Sequence, residues 1–115
     1  MFVLIVGAGT MGQQIGLQCA MYGYEVVVYD IAPDALEAAR AQINAYAAQL
    51  VDRMRLAPSE SSAALARIRF TANPADAAQA DLVSESVPED PALKAKVFAQ
   101  FNEICPPHTI FTTNS

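Results

Sequence analysis

With 115 residues, 53% of them apolar, the chain can bury one core and is short for two ordinary domains. Its net charge of −5, with Arg40, Arg53, Arg55, Arg67, Arg69, Lys94 and Lys96 scattered, leaves no basic stripe and argues against nucleic acid as a partner. The apolar opening runs only from Phe2 to Val6, far short of the roughly 20 residues of a membrane span, so neither a membrane partner nor a leader is expected.

Phe2-Val3-Leu4-Ile5-Val6 is an uninterrupted apolar run ending at Gly7, the pattern of a parallel strand covered on both faces. From Thr10 onward Met11, Ile15, Cys19 and Tyr22 recur at helical spacing, which predicts a helix buried on that side and closed by Gly23. Glu25–Tyr29 repeats the strand signal. Pro33 then opens a longer helix whose stripe reads Leu36, Ala39, Ile43, Tyr46, Leu50, Met54. The polar run at residues 58–62 stops that helix, and a short alanine-rich helical turn is expected before a third strand at 67–71. Residues 74–80 read as a short helix or turn, and 81–87 as a fourth strand. Asp90-Pro91 starts a helix with Leu93, Val97, Phe101 and Ile104 on its buried face, Pro106-Pro107 ends it, and 109–113 form a fifth strand. Cys19 and Cys105 lie far apart in helical contexts without CxxC spacing, which suits buried thiols in a reducing cytoplasm.

Strands separated by helices imply an α/β fold, a Rossmann-type doubly wound parallel sheet with right-handed crossovers, here truncated after the fifth strand. Such sheets carry their chemistry at the carboxyl ends of the strands, and the sequence stops two residues past the fifth one. Residues 1–115 are therefore expected to be one domain of a larger protein, with a further domain absent.

Gly7-Ala8-Gly9-Thr10-Met11-Gly12 is a GxGxxG, a weak signal alone. Here it leaves an apolar strand, opens a helix, and is followed at the next strand's tip by Asp30, 18 residues beyond the last glycine. Gly7 allows the tight turn, Gly9 lets the backbone approach a diphosphate, and Gly12 lets helix pack on strand. Free N–H groups around Thr10 and Met11, at the positive end of the helix, suit an anion without any lysine in the loop. Asp30 is placed to accept from the adenosine ribose hydroxyls and to repel a 2′-phosphate. Ile31-Ala32-Pro33 supply no arginine, so NAD is expected rather than NADP.

These residues resemble the NAD-binding domain of the 3-hydroxyacyl-CoA dehydrogenases. The glycine motif and residues 26–30 are shared with many dinucleotide enzymes. The stretch 81–90 with Val87-Pro88-Glu89-Asp90 and downstream Leu93-Lys94, and Cys105-Pro106-Pro107-His108 leading to Thr113-Asn114-Ser115, are more particular to that family. The resemblance implies oxidation of the 3-hydroxyl of an acyl-CoA by hydride transfer to NAD, in fatty acid metabolism. It also implies that Val87, Glu89 and Lys94 lie beside the cofactor, that Asn114 lies near the nicotinamide, and that Arg53 meets the nucleotide end of CoA. Read without the family, Lys94 is more often a solvated surface lysine than a ligand contact, and Glu89 is a first-turn acid favourable to its helix dipole. The family's histidine base, its partner glutamate, a further asparagine and the helical substrate and dimerisation domain come later than Ser115. Hence no catalytic residue is expected here, His108 reads as a solvated loop residue, and the chain is expected to bind cofactor without turnover. A homodimer is expected through an exposed docking surface. A relative acting on L-gulonate or carnitine, or a stand-alone NAD-sensing module, are the alternatives.

Overall fold

The computed structural model describes residues 1–85 and 91–113. Strands β1 (Phe2–Val6), β2 (Glu25–Tyr29), β3 (Ile68–Thr71), β4 (Leu82–Glu85) and β5 (Ile110–Thr113) form one parallel sheet in the order β3-β2-β1-β4-β5. Four helices connect them: α1 (Thr10–Met21), α2 (Pro33–Asp52), α3 (Pro58–Ala66) and α4 (Pro91–Ile104), with a 3₁₀ turn at Pro74–Ala77 before β4. This is the expected doubly wound order, in which the chain winds one way from β1 to β3 and the other way from β4 to β5.

Alternation along the strands feeds two cores. Val3, Ile5, Val26 and Val28 pack on one face against Leu17, Ala39 and Ile43 of the α1 and α2 helices. Leu4, Val6, Val27 and Val83 pack on the other against Phe101 of α4 and Cys105 just beyond it. The Phe101 ring meets Tyr29 edge to face at 5.1 Å between centroids, a favoured aromatic geometry. Burial on both sides is why the central strands read as continuous apolar runs rather than alternating ones.

Three local expectations are corrected. The buried side of α1 is Gly12, Gln13, Gly16, Leu17 and Ala20, whereas Met11 and Tyr22 of the expected stripe are 52% and 72% exposed. Small residues win that face because the helix lies close on the sheet: a Cβ at Gly16 would already touch Val26, Ile5 and Val28 at 3.6–3.7 Å. Met54 is 95% exposed and adopts φ 58°, since α2 ends at Asp52 and the stripe does not extend past it. The polar run at 58–62 is a helix start rather than a break alone. Pro58 takes the first position of α3, and Glu60 Oε1 accepts from the Ala57 N–H at 3.1 Å. The remaining spans agree within a residue or so, and the last residues assigned to the fourth strand lie outside the described residues.

Candidate functional site

Parallel pairing brings the strand ends into one row, Thr71–Tyr29–Val6–Glu85–Thr113. Between β1 and β4 the winding reverses, so the connections leaving those two strands diverge to opposite faces and open a gap at the crest. A crevice of about 770 Å³ lies there, walled by the loop after β1, the end of β2, α2 and α4.

Its floor is the glycine loop. Gly7 sits at φ 104°, a backbone conformation that side chains disfavour, and its N–H donates to the Tyr29 carbonyl at 2.8 Å. Gly9 precedes the first turn of α1 in extended conformation, exposed, and a Cβ there would meet nothing within 4 Å. Gly12 is the opposite case: a Cβ would fall 2.3 Å from the Gly7 carbonyl oxygen and 3.1 Å from Ile5 Cγ2. The first intrahelical bond runs from Gln13 N–H to the Gly9 carbonyl at 3.0 Å, so the amides of Thr10, Met11 and Gly12 stand before the ladder begins. No acidic residue occupies that first turn and no side chain caps it. An open, uncapped, positive helix end facing a crevice is the chemistry a diphosphate needs, and the open space at Gly9 fits that group, while Gly12 lets α1 pack against the turn at Gly7.

Asp30 stands at the other side of the floor, half-buried in the crevice wall. Its carboxylate is already engaged: Oδ2 accepts from the Ala8 N–H at 3.0 Å and Oδ1 from the Ala32 N–H at 2.9 Å. Each oxygen keeps a second lone pair for a ribose hydroxyl, and the two amides fix the direction in which it is offered. Ile31, 81% exposed, projects beside it. The Asp30 carboxylate, from which repulsion of a 2′-phosphate is expected, is thus held by two backbone amides.

The structure gathers Gly7, Gly9, Thr10 and Asp30 around the crevice; Met11 and Gly12 belong to the same turn of α1. Lys94 falls in α4, while Val87, Glu89 and Asn114 lie outside the described residues. Arg53 is not brought to the crevice: it borders a separate groove of about 310 Å³ between α1 and α2, with Leu17, Met21, Tyr46 and Leu50. Sequence reading missed Lys96 and Gln100, which reach the crevice from α4, Gln42 from α2, and Gln13 from beneath the loop. The α4 pair falls one helical turn apart, a spacing visible in sequence once the helix is known to skirt the crest.

His108 sits at the opposite, amino-terminal edge of the sheet, exposed as expected but paired: its Nε2 lies 2.8 Å from Asp81 Oδ1. Asp81 Oδ2 also accepts from the Phe2 N–H at 2.8 Å. That backbone bond, with the His108 contact second, holds the Asp81 carboxyl below the usual carboxylate range. Both cysteines are free thiols, Cys105 buried and Cys19 half-buried, and burial pushes each up from the ordinary thiol range. Among the described residues no group of histidine, cysteine and carboxylate side chains could hold a metal ion, and no helix is long and apolar enough to cross a membrane.

The family model for the 3-hydroxyacyl-CoA dehydrogenase NAD-binding domain matches residues 2–115. A probable 3-hydroxybutyryl-CoA dehydrogenase of Bacillus subtilis (strain 168) is 32% identical over 98% of this chain and 39% of its own length. The 3-hydroxyadipyl-CoA dehydrogenase of Escherichia coli (strain K12) is 37% identical over 98% of this chain and 24% of its own length. The crystal structure of 3-hydroxybutyryl-CoA dehydrogenase from Escherichia coli K12 superposes with a TM-score of 0.96 at 36% identity, covering all of this chain and 24% of that one. The chain thus spans about a quarter to two-fifths of the length of these relatives.

Proposed function

The chain belongs to the 3-hydroxyacyl-CoA dehydrogenase family through its NAD-binding domain, and on that premise we propose that residues 7–12 and Asp30 hold NAD for an enzyme oxidising the 3-hydroxyl of an acyl-CoA. The observation that carries this reading is the juxtaposition in one crevice of the uncapped head of α1 and the Asp30 carboxylate. Amides of Gly9, Thr10 and Met11 bind the diphosphate, and Gly9 leaves it room. Asp30 orients the adenosine ribose and excludes a 2′-phosphate. Bound NAD supplies the hydride acceptor.

Around that core, we assign Val87, Glu89 and Lys94 to the cofactor's flank and Asn114 to the nicotinamide end, as the family resemblance implies. Lys96, exposed in the crevice wall, adds a second cation toward the same anion. Arg53 meets the nucleotide end of CoA from its own groove. Proton removal from the alcohol falls outside these residues: His108, the single histidine, is at the far edge of the sheet. The 115-residue chain accordingly holds the cofactor as a domain, 1–115, and does not itself reduce acetoacetyl-CoA. Its two free thiols suit a cytoplasmic setting, and a homodimer is the assembly this reading assigns to the enzyme.

Fluorescence titration of the chain with NADH and with NADPH tests the reading. Saturable NADH binding, at least tenfold tighter than NADPH, is expected. Equal affinity for the two would remove Asp30 from its role, and no NADH binding at millimolar concentration would remove the cofactor assignment.

A further inference from the structure

A loop with glycines at 7, 9 and 12 gains room for a diphosphate and loses conformational restraint. Something must hold it in the binding shape before a ligand arrives, or ordering it will weaken binding. Two side chains hold Ala8, the residue between the first two glycines. Asp30 Oδ2 accepts from its N–H at 3.0 Å, and Gln13 Nε2 donates to its carbonyl at 2.9 Å. Thus one peptide segment is gripped from β2 on one side and from α1 on the other.

Gln13 is an unusual choice for that place. It is 3% exposed on the face of α1 turned to the sheet and the crevice. With Nε2 on the carbonyl, Oε1 is buried and finds no hydrogen-bond partner among the described residues. A buried acceptor without a donor costs stability, whereas an apolar side chain of similar volume carries neither the bond nor the orphan. Fold stability alone therefore does not account for a glutamine here.

We propose that Gln13 is a positioning residue for the glycine loop: its amide pins the Ala8 carbonyl so that Gly9 and Thr10 stay presented in the crevice wall, and the stranded Oε1 is the cost in stability. Its effect on ligand rests on the NAD reading above; its effect on the loop does not.

Amide hydrogen exchange on the ligand-free 115-residue chain tests the second point directly. In the parent, the Ala8 N–H is protected through Asp30. Gln13→Met should accelerate Ala8 exchange about tenfold or more while leaving β1 amides and the interior of α1 as protected as in the parent. Its midpoint of thermal unfolding should stay level or rise. Gln13→Asn, which keeps the amide and shortens its reach by one carbon, should show the same acceleration at Ala8 and a lower midpoint than Gln13→Met. Parent-like exchange at Ala8 in either variant overturns the proposal, as does a fall in the Gln13→Met midpoint without any change at Ala8. With NADH, Gln13→Met should weaken affinity about tenfold relative to the parent. A parent that binds no NADH would sink the cofactor assignment while the exchange result still decides the role of Gln13.

Discussion

Adding one carbon at Gly12 and one at Gly9 should separate what holds this loop together from what it holds. At Gly12 the new Cβ would fall 2.3 Å from the Gly7 carbonyl oxygen, well inside the 3.0 Å that real Cβ atoms keep. The obstacle is backbone, fixed by the φ 104° turn at Gly7 and by the Gly7 N–H bond to Tyr29 at 2.8 Å. Helix α1 must therefore move off β1. Overpacking of this kind costs about 1–3 kcal/mol, which for a domain near this size lowers the unfolding midpoint by roughly 4–12 °C. The amides at the head of α1 shift with it, and NADH affinity should fall at least tenfold, about 1.4 kcal/mol. At Gly9 nothing lies within 4 Å of the added Cβ. The gain of about 0.4–1 kcal/mol from a stiffer unfolded chain is offset by the poorer helix-cap preference of alanine, about 0.5–1 kcal/mol. Gly9→Ala should leave the midpoint within about 3 °C yet weaken NADH at least tenfold, and Gly9→Val should abolish binding in a folded protein. Scanning calorimetry and NADH fluorescence on the variants decide the matter. A Gly12→Ala chain with parental midpoint, or a Gly9→Ala chain with parental affinity, would refute the steric reasoning.

Asp30→Ser with Ile31→Arg should move the NADH-to-NADPH preference toward NADPH. It should also weaken both cofactors, because the Ala8 and Ala32 amides lose their acceptor; an unchanged ratio by fluorescence titration would count against selection by charge. The Asp81 carboxyl is depressed in the folded chain by the Phe2 amide and by His108, so its contribution is complete above the unfolded-state value near 3.9 and is lost as pH falls below that through the folded value. Asp81→Asn should flatten the acid limb of a midpoint-against-pH curve below about pH 4, and an unchanged limb would show that the bond does not favour the charged form. Burial raises both thiols, and Cys105 is the less solvent-exposed of the two. Cys105 should therefore resist alkylation at pH 8 until the chain unfolds, whereas labelling at the rate of free cysteine in the native chain would contradict that environment.

Strand positions and the glycine turn that opens α1 were legible because parallel strands covered on both faces carry continuous apolar runs and because the glycine spacing sits between a strand and a helix. Helix faces were less so. Periodicity follows large apolar residues, but α1 buries Gly12, Gly16 and Ala20, whose value is the close approach they allow. The start of α3 hid because Pro58, Ser59 and Glu60 look like a loop until the helix they open is seen. Asp30 was found for its carboxylate, yet its two backbone donors come from residues 8 and 32, and nothing in the sequence says that the loop and the strand end share it. Lys96, Gln100 and Gln42 join the crevice only through the placement of α4 and α2 around the crest.

Backbone amide shifts during titration of the isotopically labelled chain with NAD test the central claim most directly. The largest changes should fall on Gly9, Thr10, Met11 and Gly12 and on Asp30 and Ile31, with the β3 strand and the amino-terminal edge around Asp81 and His108 quiet. Saturating NAD that leaves the head of α1 unshifted, or that moves instead the groove beside Arg53, would contradict it.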